Sequence, residues 1–167
     1  MITQQRVKEL FEYDPQNGLF YWKKREGNNP FNAQWANKIA GNINNRGYLC
    51  MIVDGRKEYG HRLAWLYVYG TMPKEYMDHI DGNTSNNRID NLREATAVEN
   101  ARNRRGKSRS ASGIKGVNFF KPKQRWRAAI RINGKPTHLG YFKTSEEAKE
   151  AYRVAATEYY GDFARFD

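Results

Sequence analysis

The chain has 167 residues, enough for one or two small domains, and its 39% hydrophobic and 14% aromatic content calls for folded cores, not wholesale disorder. The single cysteine, Cys50, excludes a disulfide framework and a multi-cysteine zinc site. No signal peptide or bilayer-spanning apolar run is visible, so a cytoplasmic protein with no membrane partner is expected. The net charge is +11, and residues 101–145 carry 13 Lys and Arg with no acid, leaving 16 basic against 18 acidic residues elsewhere.

Such an acid-free block is the electrostatic footprint of a polyanion partner. An anionic membrane surface fits less well, because the segment does not pattern as an amphipathic helix.

In chain order, residues 3–12 read as a short helix with Thr3 as its cap and Val7, Leu10 and Phe11 on one face. Asp14, Pro15, Gln16, Asn17 and Gly18 make a turn before a strand at 19–22. Residues 23–38 read as polar and irregular. A turn at 44–47 leads to a strand at 48–53, and Asp54 with Gly55 signals a hairpin back through 57–59. A helix follows at 61–69, stopped by Gly70 and Pro73.

Residues 76–80 read as a strand, 81–90 as a loop dense in Asn, Asp, Gly and Ser, and 92–95 as a second strand. Thr96 and Glu99 have the spacing of a capping box, so a helix should carry Asn100 in its first turn. The small, basic residues between Asn103 and Ile114 resemble a flexible tether. Beyond them come strands at 114–120, 125–132 and 137–142, with Asn133 and Gly134 as a hairpin turn. A second capping box, Thr144 with Glu147, opens a helix whose Ala148, Ala151, Tyr152, Ala155, Ala156 and Tyr159 share a face.

The chemistry concentrates at Asp78, His79, Ile80, Asp81, Gly82 and Asn83, followed by Asn86, Asn87, Asn91 and Asn100. Asp and Asn oxygens are hard ligands suited to Mg²⁺ or Mn²⁺. A histidine beside them can take a proton from water near neutral pH. Together they are the parts for metal-assisted hydrolysis of a phosphodiester. Asn91 reads equally as a turn residue, and His61 either as a contact to the scissile phosphate or as a packing residue. Asp81, Asn83, Asn86 and Asn87 read as loop-holding residues.

This ordered set resembles the HNH nuclease superfamily, nearest the phage and intron-homing branch in which the last His is replaced by Asn. The resemblance covers residues 58–104 and includes Tyr59, Gly60, His61, Arg62, Leu63, Ala64 and Trp65. It implies that His79 is the general base. Asp78 and Asn100 would bind one divalent ion, Mg²⁺ or Mn²⁺, with no structural zinc. Asn91 would orient the His79 ring through its side-chain carbonyl. A phage-encoded copy would act in the host cell cytoplasm.

The second segment resembles the APETALA/ethylene-response-factor DNA-binding domain. The resemblance rests on Gly113, Ile114, Lys115, Gly116 and Val117, on residues 125–131, on Leu139, Gly140, Tyr141 and Phe142, and on Glu147, Ala148, Ala151 and Tyr152. It implies a three-stranded sheet laid in the major groove. Strand alternation puts Trp126, Ala128, Ile130 and Ile132 toward the helix. Lys115, Asn118, Lys121, Lys123, Arg125, Arg127 and Arg131 then gather on the opposite face as DNA-binding residues, with Arg104 and Arg105 in the tether. Asn118, Phe120, Ala129 and His138 depart from the plant pattern, so no target sequence follows.

The expected fold is α+β. A ββα-metal nuclease unit (58–104) follows an N-terminal α/β extension (1–57) of unclear role. A basic linker (105–112) joins it to a three-stranded antiparallel sheet packed on one helix (113–167). The expected activity is metal-dependent cleavage of double-stranded DNA, homing-type, by nicking or by breaking both strands. Monomer and dimer are both open. A catalytically inactive DNA-binding regulator and an RNA-directed nuclease are the alternatives.

Overall fold

A computed structural model of the chain describes residues 2–103, 115–164 and 166. The linker 105–112, with Arg104 and Arg105, lies outside the described residues, as does the start of the strand expected at Ile114. Two units are seen, Met1–Ala97 and Val98–Asp167. The fold is mixed α/β, with small antiparallel sheets and several helices.

In the first unit α1 (Gln4–Leu10) is capped by Thr3, whose hydroxyl accepts the Arg6 N–H at 3.2 Å. The helix is shorter than expected. Phe11 begins β1 (Phe11–Asp14), which pairs antiparallel with β2 (Leu19–Trp22). Val7, Leu10 and Phe11 fit helical spacing, but Phe11 and Tyr13 also alternate. The strand wins because alternation buries both rings against Phe20.

The segment 23–38 is also more ordered than its composition suggests. Asn29 caps α2 (Pro30–Trp35) by accepting the Phe31 N–H at 3.0 Å, and Pro30 stands where a missing N–H costs nothing. The next sheet has the order β3 (Asn42–Ile43), β4 (Leu49–Val53), β5 (Arg56–Tyr59). The β4–β5 turn needs left-handed backbone at Asp54 (φ 48°) and Gly55 (φ 77°), which these residues tolerate best. Helix α3 (Gly60–Tyr69) ends at Gly70, whose φ of 79° forms a left-handed C-cap. β6 (Tyr76–His79) then pairs with β7 (Leu92–Ala95), and α4 (Ala97–Asn103) follows.

One core runs through this unit. Val7, Phe11, Phe20, Met51, Val53, Leu63, Leu66, Met77 and Leu92 all belong to it. Residues 1–57 therefore pack with the segment carrying the motif and do not form a separate body. Phe11 and Phe20 are fully buried, each contributing about 1.5–3 kcal/mol of apolar transfer free energy.

The second unit is a sheet of order β10 (Lys135–Phe142), β9 (Arg125–Ile132), β8 (Val117–Phe120), backed by α5 (Ser145–Tyr160). The capping box is complete: Thr144 accepts from the Glu147 N–H and Glu147 accepts from the Thr144 N–H. Ala148, Tyr152, Ala155 and Ala156 of α5 meet Val117, Ala128 and Ile130 of the sheet. Trp126 and Ile132 pack on the same side, as alternation along β9 requires. Among the described residues no helix is long and apolar enough to cross a membrane.

Candidate active site

The loop from residue 80 to 91 joins β6 to β7, and its own short side chains hold it. Asp81 is the hub. Its carboxylate accepts from the Asn83 N–H at 2.7 Å, from Asn86 Nδ2 at 2.7 Å and from Asn91 Nδ2 at 3.0 Å. Burial works against the charge on Asp81. The bonds from Asn86, the Asn83 N–H and Asn91 outweigh it and hold the carboxyl below its ordinary range. Asn91 closes the loop's neck: its side-chain oxygen accepts the Asp81 N–H at 3.0 Å, and its carbonyl accepts the Ile80 N–H at 2.9 Å.

His79, at the end of β6, is 4% exposed. Its Nε2 lies 3.3 Å from Asn87 Oδ1. Asn87 Nδ2 donates to the Ser85 carbonyl at 3.3 Å, which fixes the amide so that its oxygen faces the imidazole. An acceptor there puts the ring proton on Nε2 and makes Nδ1 the basic nitrogen. Burial lowers the His79 pKa below the usual imidazole value, while the Asn87 bond and the charges of Asp81 and Asp78 pull the other way. The net result is a neutral ring at neutral pH.

The amide oxygen beside the His79 ring is that of Asn87, while the side-chain oxygen of Asn91, the residue expected to orient the ring, accepts the Asp81 N–H. Both amides sit in the same turn-rich stretch. Loop closure around Asp81 uses up Asn91 and turns Asn87 inward, where it is 1% exposed.

Asp78 precedes His79 and is also buried. Strand register sets it opposite Arg93, whose Nε donates to Asp78 Oδ2 at 2.8 Å. Arg93 escaped the sequence reading, although a basic residue facing the acid across a predicted hairpin was a usable signal.

His61 stands in the first turn of α3. Its ring is parallel to Tyr59 (12°, centroids 5.4 Å apart) and edge-on to His79 (84°, 5.2 Å). Tyr48 touches both histidines, at 5.5 and 6.0 Å. Burial, the nearby His79 and Arg62 push the His61 pKa down to about 3, and its buried Nδ1 has no hydrogen-bond partner among the described residues.

Asp78, His79, Asn91 and His61 thus belong to one cluster in the first unit. Asn100 lies half-buried on α4, in the second unit. Among the described residues no group of three or more His, Cys, Asp or Glu converges as a metal site. The donor chemistry at Asp78, a buried hard oxygen beside an imidazole, fits a hard divalent ion that completes its shell with water and phosphate oxygens.

Of the basic residues expected to touch DNA, Arg125, Arg127 and Arg131 project from the sheet face away from α5. Arg127 Nε donates to Asn118 Oδ1 at 3.3 Å across the β8–β9 pair. Lys121 and Lys123 are exposed in the turn after β8, and the Lys123 ammonium sits 4.1 Å from the Tyr141 ring centre. Lys115 precedes β8, and partial burial lowers its pKa.

Residues 58–102 match the family model described as HNH endonuclease. The chain is 36% identical over 107 residues to Protein 3.8 of Escherichia phage T7, covering 64% of this chain and 88% of that protein. The chain carries an HNH endonuclease domain. A second relative, an uncharacterized HNH endonuclease of Acanthamoeba polyphaga mimivirus, is 34% identical over 106 residues, covering 62% of this chain and 54% of its own length. This HNH endonuclease is also 44% identical over 71 residues to an AP2-like ethylene-responsive transcription factor of Oryza sativa subsp. japonica, covering 37% of this chain and 11% of that one. No solved structure matches it. As an HNH endonuclease it acts on DNA, and nucleases of this family generally use a divalent metal.

Proposed function

We propose that this endonuclease hydrolyses DNA phosphodiester bonds with His79 as general base. The observation that carries this reading is a buried imidazole whose Nε2 lies 3.3 Å from Asn87 Oδ1, next to the buried Asp78 carboxylate. His79 takes a proton from the attacking water at Nδ1 while Asn87 holds the ring. Asp78 and Asn100 would hold one Mg²⁺ or Mn²⁺, with β6, β7 and α4 as a ββα-metal unit. When bound, the ion would stabilise the charge developing on the phosphate and the leaving 3′ oxygen. His61, stacked on Tyr59 and edge-on to His79, would face the scissile phosphate or keep the base dry. The sheet of the second unit and the basic tether would hold double-stranded DNA through phosphate contacts and some base readout. The viral origin of two relatives fits action in a host cell, and the role would be homing-type, with a nick as the elementary event at one site per chain.

The decisive test uses His79→Ala on duplex DNA with Mg²⁺ or Mn²⁺, with RNA as a competing substrate. Cleavage should fall by about 10²–10⁴, the usual worth of a general base, while duplex affinity is retained. Cleavage that survives the substitution would remove His79 from the reaction. Faster turnover of RNA would favour the RNA-directed reading.

A further inference from the structure

We infer that the N-terminal hairpin belongs to the cleavage machinery, with Tyr13 as a positioning residue that sets the His79 ring through Asn87. This rests on His79 being the base, and it gives residues outside the matched 58–102 segment a part in the reaction.

The contacts form an unbroken line. The Tyr13 hydroxyl donates to the Asn87 carbonyl at 2.7 Å in a buried bond that spans 74 residues of sequence. Asn87 Oδ1 faces His79 Nε2, and Asn87 Nδ2 is tied to Ser85. Backbone and side chain of Asn87 are therefore fixed from three directions, and the backbone anchor comes from β1. Tyr13 is itself 5% exposed, its ring 4.7 Å from Phe20 and 5.5 Å from Tyr67 of α3, the helix that also carries His61. Burial raises the phenol pKa, so the hydroxyl stays a donor throughout the neutral range.

A second contact from the same hairpin bears on the same peptide. Gly18, with φ of 73°, lies so close to the loop that a Cβ there would stand 2.4 Å from the Arg88 nitrogen and 2.6 Å from the Asn87 carbonyl carbon. Only glycine permits both that backbone angle and that approach. The hairpin thus reaches Asn87 with a hydrogen bond at one end and a bare backbone at the other.

The consequence for catalysis is geometric. A proton acceptor displaced by about 1 Å can lose roughly 10²-fold in rate even when binding is untouched. The Asn87–His79 contact, at 3.3 Å, is already long for a hydrogen bond, so losing its anchor would let the amide rotate and the ring sample both tautomers.

The test is Tyr13→Phe in the full chain, which removes one oxygen and keeps the ring packing. On duplex DNA with Mg²⁺, kcat should fall about tenfold with KM unchanged, the signature of an interaction felt at the transition state and not in binding. The ¹⁵N signals of the His79 imidazole should move from a single Nε2–H tautomer toward a mixture. That readout needs no turnover and would not respond to a purely structural role. Normal kcat with unmoved His79 signals, even with a lower melting midpoint, would overturn the inference. A parallel His79→Ala measurement separates the two claims. If that variant still cleaves, the assignment of His79 as base has failed. If it is inactive while Tyr13→Phe cleaves normally, only the positioning role of Tyr13 has failed.

Discussion

The two units solve opposite problems with buried groups. The buried polar and charged residues described, His61, Asp78, His79, Asn87 and Asn91, all belong to the first unit. The core of the second is Val117, Ala128, Ile130, Ala148, Tyr152, Ala155 and Ala156, and Arg125, Arg127 and Arg131 stand on the outer face of its sheet. An imidazole held neutral by burial is desolvated, and each desolvated polar group costs free energy unless it is bonded. The first unit meets that cost with a larger core and a dense amide network. The second, whose arginines face outward, manages with a small sheet covered by alanines. On the proposed division of labour, chemistry and recognition call for different interiors.

The largest effect expected of that contrast comes from Arg93→Ala. Removing one partner of a buried ion pair typically costs about 3–5 kcal/mol. The loss should appear in the urea transition of the first unit, with the second unit's transition unmoved. Equal shifts in both would mean that the units do not unfold separately. The next largest is the acid sensitivity of His61. Its folded pKa is about 3 against an unfolded value near 6.5, so between those limits the unfolded chain binds more protons and stability falls as pH falls. The stabilisation is fully present above pH 6.5. His61→Phe should remove a slope of up to about 1.4 kcal/mol per pH unit in that window. A slope identical to that of the parent chain would show that His61 is not held neutral.

Asn91→Ala should cost about 1–3 kcal/mol by stranding the Asp81 N–H and one lone pair of its carboxylate. It should leave the tautomer of His79 in place, as an NMR comparison with Asn87→Ala would reveal. The smallest stability effect belongs to the second unit. Arg127→Ala with Arg131→Ala should change stability by less than about 0.5 kcal/mol. The same pair should weaken DNA binding and flatten the slope of log K against log salt by about two. An unchanged slope would put the DNA on another face.

Much of this was readable from residue order. Alternation along 125–132, the Asn133–Gly134 turn and the Thr144–Glu147 box specify the sheet and helix of the second unit through local rules alone. The Asp78–His79 pair stood out for the same reason, since its chemistry is adjacent in sequence. Other features depended on distant contacts. Phe11 fits a helix until Phe20 offers it a partner. Asn29 followed by Pro30 looked like a loop, although that pair also opens a helix. Which asparagine faces His79 depends on how Asp81 folds the loop. Tyr13 carries no local sign of its bond to Asn87, because a buried tyrosine in a strand is ordinarily core.

The shared core of residues 1–97 also constrains how such a gene could be shuffled. A crossover at residue 57 would part Phe11 and Phe20 from Leu63 and Leu66, and Tyr13 from Asn87. The incoming half would inherit a motif without its scaffold. A crossover beyond residue 103 would leave the matched segment 58–102 and the core of the first unit whole, and on the proposed division of labour would hand on a nuclease and a DNA-holding module as separable goods. New recognition modules should accordingly be gained or lost on the C-terminal side, while the hairpin at 11–22 travels with the histidine it supports.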